Sequence, residues 1–354
     1  MTAPLTRAER TDYAETSRHA DVMAFIAALA ARGDRRLHVG SFGVSPEGRE
    51  LPLLVLSNRG LFTPEAAHAS GLPVVLVMNG IHAGEVEGKE ASMMLVREIL
   101  DGLHGDLLDQ LTLVVVPLFN PDGNDRIDPE NRKLEVEHFR GQLGPTSGVG
   151  TRVNAAGINL NRDYMRQEAV EMRLLQSRVA QPWDAHLTID CHATNGSIHR
   201  FDLTYDIPHG TASGRAEPIE FMRERLLPAV TEAVKATEGL DTSWYGNFLR
   251  DEGGNGTGWI TYTHHPRFGG NYRGLTNRLD LLLETYSYID FRARVRVTRA
   301  SGIIVARPLS GSQALARWLV PSAASTWIAA RCSSFTTSKS SRCPRSPSRW
   351  RPPK

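Results

Sequence analysis

Four short runs rich in branched aliphatic residues constrain this chain more than any other feature. They are LPVVLVMNG (72–80), LTLVVVPLFNPDG (111–123), AHLTIDC (185–191) and RLDLLLETY (278–286). A strand with one wet face alternates apolar and polar side chains, so a run such as 72–80, with no alternation, reads as a strand covered on both faces. Segments of helical period lie between the runs: DVMAFIAALAA (21–31) with Gly33 as its stop, VEGKEASMMLVREIL (86–100), QEAVEMRLLQSRVAQ (167–181) and EFMRERLLPAVTEAVKATEG (220–239). RRLHVGSFGV and ELPLLVLS flank the polar turn SPEGR and read as a hairpin. Strands alternating with helices predict an α/β sandwich around a largely parallel sheet, whose ligand site lies beyond the carboxyl ends of the strands.

The rest of the chain bounds the class. Its 354 residues, 41% hydrophobic and 23% charged, suit a soluble globular protein of one large or two small domains. No stretch approaches the roughly 18–20 apolar residues of a membrane span. The first thirty residues carry charges throughout and do not read as a signal peptide. Three cysteines are too few for a disulfide framework, so a cytoplasmic location is expected, with Cys191 a small buried residue at a strand end. The net charge of +2 hides an asymmetry: thirteen of the 41 Lys and Arg, and none of the 39 Asp and Glu, lie in residues 291–354. Residues 301–354 hold twelve Ser and six Pro without a sustained period, which predicts a disordered basic tail from residue 300 on. Nothing there matches a nucleic-acid-binding module, and so abrupt a change also fits translation in a shifted reading frame. The catalytic domain is therefore expected over 1–299, with an N-terminal helix and hairpin in 1–60.

Side chains able to bind metal stand where the buried runs end. NGIHAGE (79–85) holds His82 and Glu85 three residues apart on one tight turn, within reach of a single ion. An imidazole nitrogen and a carboxylate oxygen are zinc donors at about 2.0–2.2 Å. Alone the spacing is weak, and a polar loop accounts for it as well. DCHATNG (190–196) sets His192 at the end of another buried run, 107 residues after Glu85. A structural histidine is the alternative there. Two His and one Glu leave a fourth position open for water. GINLNRDY (157–164) offers Asn161 and Arg162, an arginine fork suited to a carboxylate or else to a surface ion pair. LLLETY places Glu284 inside an apolar strand, where a lone carboxylate is costly. Beside an activated water it could take a proton and pass it to a leaving amine.

The order HAGE, NPDG, GINLNRDY, D-C-H and LLLE resembles the zinc carboxypeptidase family, the carboxypeptidase A/B-like metallopeptidases, over about residues 50–290. The resemblance implies a three-layer α/β/α sandwich around a mixed, mostly parallel sheet of about eight strands. It implies one zinc per chain on His82, Glu85 and His192, a substrate carboxylate held by Arg162 with Asn161, and Glu284 promoting attack by water. It also implies an arginine for the oxyanion after the NPDG turn. Arg132 is favoured there over Arg126 and Arg140. A substrate-contacting tyrosine is implied as well, with Tyr262 better spaced than Tyr272, while His264 and His265 read as a polar loop. One departure stands out. Asn159 occupies a position where the family usually carries Asp, the carboxylate that orients a ligand histidine.

The expected function is hydrolysis of the C-terminal amide bond of a peptide, or of a small amide with a free carboxylate. An N-acyl-amino-acid deacylase of related fold is the alternative, separated by its preference for acyl amino acids over peptides. A catalytically inactive binding protein is the alternative of another class, and zinc content separates it from both enzymes. No nucleic acid or membrane partner is expected. Side-chain preference and oligomeric state are not legible in the sequence.

Overall fold

The computed structural model describes residues 3–306, apart from 139, 195–196, 211–214 and 251–255. The chain divides into two units, Met1–Ser312 and Gln313–Lys354, and the second lies outside the described residues.

Ten strands form among the described residues: β1 (Leu37–Val44), β2 (Glu50–Leu56), β3 (Val74–Asn79), β4 (Thr112–Val116), β5 (Leu187–Ala193), β6 (Leu203–Asp206), β7 (Thr242–Trp244), β8 (Asn247–Arg250), β9 (Gly256–Ile260) and β10 (Leu279–Thr285). Eight make one sheet in the order β1-β2-β4-β3-β5-β10-β6-β7, and β8 and β9 pair separately. The centre, β4-β3-β5-β10, is parallel throughout, whereas β1/β2, β2/β4 and β10/β6 pair antiparallel. The sheet is thus mixed with a parallel middle.

Every residue of β3, β4, β5 and β10 is buried, as unalternating apolar runs require. One apolar cluster joins Leu76, Met78, Val114 and Val116 to Met172, Leu175, Val179 and Trp183. Those last four belong to a helical run, Val170–Trp183, whose middle turn is wider than α-helical. The helix Glu87–Leu100 packs against β3, β5, the helix His19–Ala30 and the helix Phe291–Ala306. Fully burying one such aliphatic side chain is worth about 1.5–3 kcal/mol.

The last helix runs to Ala306, past residue 299, where the sequence composition changes. Two features hold it. Val295, Val297 and Ala300 are buried on its inner face. Arg294, fully buried, donates to the carbonyls of Leu143, Gly144, Ser287 and Ile289 and stands 3.4 Å from Glu87. The basic tail expected from the sequence falls almost wholly in residues 307–354, outside the described residues.

Asn120-Pro-Asp-Gly caps a short helix, Pro121–Asp125, and its chemistry is structural. Asn120 Oδ1 accepts from Gly123 N, and Asp122 accepts from Ser45, Glu47 N and Arg49, which ties the hairpin turn to the sheet. No described helix is long and apolar enough to cross a membrane.

Candidate metal centre

Three parallel strands deliver the site at their carboxyl ends. β3 stops at Asn79, and Gly80, with φ +69°, turns the chain into the loop that carries His82 and Glu85. His192 is the last residue but one of β5, and Glu284 holds the same place in β10. Close approach shapes the loop: a Cβ on Gly84 would lie 2.7 Å from the Gly150 carbonyl, so only glycine fits between the two ligands.

His82, Glu85 and His192 are all buried, and their donor atoms converge. His82 Nδ1 lies 3.1 Å from Glu85 Oε1, His192 Nδ1 lies 2.8 Å from Glu85 Oε2, and the two Nδ1 atoms are 3.2 Å apart. Bonds of about 2.0–2.2 Å from one cation to the two Nδ1 atoms and to the Glu85 carboxylate require donors about this close, so the donor set fits zinc. Burial drives His82 down to about 4, against the pull of Glu85, and leaves it a neutral donor. Burial would raise Glu85, but the two histidines hold it well below the usual carboxylate range. Burial would likewise lower His192, yet Asp190 and Glu85 on either side hold it well above the ordinary histidine value.

The far nitrogens are held differently. His82 Nε2 lies 3.1 Å from Asn159 Oδ1, which also accepts from Asn161 N, so the departure at 159 keeps its contact while losing its charge. His192 Nε2 lies 3.3 Å from Asp190 Oδ1, out of line for a hydrogen bond.

Glu284 sits beside His192 in register. Burial, aided by Glu85, pushes its carboxyl up to about 8, although His192, Arg132 and Arg152 oppose the shift. Such a group is poised for proton exchange near neutral pH.

Of the three arginines weighed for the oxyanion, only Arg132 reaches the site. Arg126 pairs with Glu47 at 2.6 Å and is 45% exposed, and Arg140 is exposed with its backbone on Glu135. Arg132 donates to Glu85 Oε1 at 3.1 Å, but also to Gln142, the Thr194 carbonyl and Ser287. Its fork is largely committed to holding loops. Arg152, not singled out in the sequence, approaches Glu85 Oε1 at 3.3 Å, is 41% exposed and has no other hydrogen-bond partner among the described residues.

Arg162 lies half-buried, its guanidinium 4.1 Å above the Phe268 ring, and pairs with no carboxylate among the described residues. Burial, with Arg152 and Arg267 nearby, lowers it to about 10. Among the described residues it is a half-buried cation with no carboxylate against it. Asn161 is turned inward, and its Oδ1 accepts from Gly269 N. Tyr262 packs on Phe268 and His209, with ring centroids 5.0 and 4.7 Å away. Tyr272 instead packs on Tyr164 in the apolar core, and His264 and His265 are exposed. Tyr245 was not anticipated: Glu284 first, then burial, pushes its phenol up, so it feels the charge of the candidate base. A cavity of about 250 Å³ adjoins it, lined in part by Asp206, Ile207, His209 and Trp259.

Comparison with known proteins follows the same lines. The family model for zinc carboxypeptidase matches residues 22–196. Carboxypeptidase D of Drosophila melanogaster is 31% identical over 134 residues, 36% of this chain and 8% of that protein. Carboxypeptidase D of Mus musculus is 31% identical over 156 residues, 40% of this chain and 11% of that protein. The chain therefore spans only a small part of these relatives. Among solved structures, a metallo-carboxypeptidase from Burkholderia cenocepacia superposes with a TM-score of 0.56 at 19% identity, covering 81% of this chain and 68% of the other. Bovine thrombin-activatable fibrinolysis inhibitor, in complex with tick carboxypeptidase inhibitor, superposes with a TM-score of 0.57 at 14% identity, covering 84% and 98%. At these identities the likeness is one of fold.

Proposed function

Because residues 22–196 belong to the zinc carboxypeptidase family, we propose that this chain is a metallocarboxypeptidase that removes the C-terminal residue of a peptide. A zinc ion held by His82, Glu85 and His192 would supply Lewis acidity to the scissile carbonyl and to water. The chain's own residues do the rest.

Arg162 grips the substrate's terminal carboxylate, and the stacked Phe268 ring keeps its fork in place. Glu284 accepts a proton from the attacking water and returns it to the leaving amine, so water adds across the C–N bond with no proton lost to solvent. Arg152, with donors to spare, faces the oxyanion that develops on the carbonyl oxygen. Arg132 serves the same charge from further back while fixing the loops at Thr194 and Ser287. Tyr245 and Tyr262 wall the site between Glu284 and Phe268, with ring centroids 6.3 Å apart.

Arg162 is the observation that carries this reading. A half-buried guanidinium with no carboxylate partner among the described residues, within the electrostatic reach of Glu85 in the His-Glu-His cluster, asks for an anion that arrives with the substrate. Mass spectrometry of peptide digests tests it. Loss of single residues from the C-terminus supports the proposal, whereas turnover confined to N-acyl amino acids would transfer the site to a deacylase.

A further inference from the structure

The two histidines of the centre differ in what lies behind them. His82 backs onto a neutral amide, Asn159, at 3.1 Å. His192 backs onto a carboxylate, Asp190 Oδ1, at 3.3 Å. Neither His192 Nε2 nor Asp190 Oδ1 has an aligned hydrogen bond, and both residues are 2% exposed, so each is the other's natural partner. Asp190 is itself held from behind: its Oδ2 accepts from Arg273 Nη2 at 3.0 Å. Arg273, 8% exposed, is pinned by Asp280 through Nε and by Tyr164 Oη at 2.6 Å through Nη1. Asp190, Arg273 and Asp280 come from β5, from the short helix Gly269–Gly274 and from β10, so the chain of contacts ties the back of His192 to the middle of the sheet.

Resting on the zinc reading above, we infer that Asp190, anchored by Arg273, is a positioning residue that supplies the anionic partner of the ligand pair, on His192 instead of His82. A carboxylate behind a ligand imidazole fixes the tautomer and orientation of the ring and strengthens the ring as a donor. At position 159 this chain has given up that charge, and Asp190 restores it on the other histidine. Arg273 keeps Asp190 aimed without reaching the ligand itself. Asp280 provides the second negative charge that the buried guanidinium requires.

The test is a set of three variants, Asp190→Asn, Asn159→Asp and the double variant. Zinc affinity is read by chelator competition, and thermal unfolding is recorded with and without zinc. A wild type that binds no zinc overturns both the metallopeptidase reading and this inference, whereas zinc binding upholds the first and lets the variants decide the second. Given binding, Asp190→Asn is expected to weaken zinc about 10- to 100-fold, and adding Asn159→Asp to recover part of that loss. A purely structural Asp190 would lower the unfolding temperature equally in both forms and leave the affinity of the folded protein unchanged. Unchanged affinity, or no recovery in the double variant, overturns the inference. Should Asp190→Asn not fold, proton NMR of the zinc-loaded wild type and Asn159→Asp decides. The wild type should show one imidazole N–H further downfield than the other, and the variant should bring the second towards it. Two equivalent signals in the wild type overturn the inference just as surely.

Discussion

Glu284 and His192 are register partners on the parallel strands β10 and β5. Partners in register point to the same face, so the sheet itself sets a candidate base beside a candidate metal ligand. A slip of one residue in β10 would turn Glu284 to the opposite face. The pairing extends from Leu279↔Leu187 to Thr285↔Ala193, and these residues are all buried, which makes such a slip costly.

Replacing Glu284 with Gln removes the proton acceptor and keeps the shape. Zinc content should stay at one per chain while kcat falls about 10²- to 10⁴-fold. Metal analysis beside steady-state kinetics checks both, and a variant as active as wild type would remove Glu284 from the chemistry.

Arg162→Lys keeps the charge and loses the fork. The loss of charged hydrogen bonds worth about 1.5–3 kcal/mol should lower kcat/KM for free-acid peptides about 10- to 100-fold. On amidated peptides, which the wild type should not cleave, the substitution should change nothing. Equal effects on both substrates would place Arg162 outside the carboxylate subsite.

Arg152 and Arg132 should separate by their readouts. Arg152→Ala is expected to cost about 10²- to 10³-fold in kcat with little change in thermal unfolding. Arg132→Ala should lower the unfolding temperature as well, since its donors hold Gln142, Thr194 and Ser287. The reverse pattern in calorimetry and kinetics would exchange their roles.

His186 gives a pH dependence away from the site. Its Nδ1 accepts from Val74 N at 2.9 Å, and burial lowers its pKa from 6.5 to about 4. Between those values the unfolded chain binds the proton and the folded chain does not. The stabilisation is present above pH 6.5 and is lost as pH falls towards about 4. Denaturant unfolding across that window should show a slope that His186→Gln flattens, and an unchanged slope would assign the acid sensitivity elsewhere.

Much of this architecture is legible in the sequence because its central strands are buried on both faces. Val74–Asn79 and Leu279–Thr285 announce themselves by composition, and ligands at strand ends follow from the topology. The short strands β6 to β9, of three to five residues, have too little length for a period to register. Arg152 and Tyr245 reach the centre only through folding. Arg152 sits 67 residues from Glu85, and nothing local to TRVN distinguishes it from a surface arginine. The Asp190–Arg273 contact, across 83 residues, is illegible for the same reason. The last helix, Phe291–Ala306, runs past the domain end expected at residue 299, because the change in composition after 300 carries no local signal for where a helix stops.

The most direct measurement is hydrolysis of a peptide with a free C-terminus against its amidated twin, by protein with zinc bound and by the same protein after chelation. The account predicts release of the C-terminal residue from the free acid alone, lost on chelation and restored by zinc. Cleavage of both peptides alike, or activity indifferent to the chelator, would contradict it.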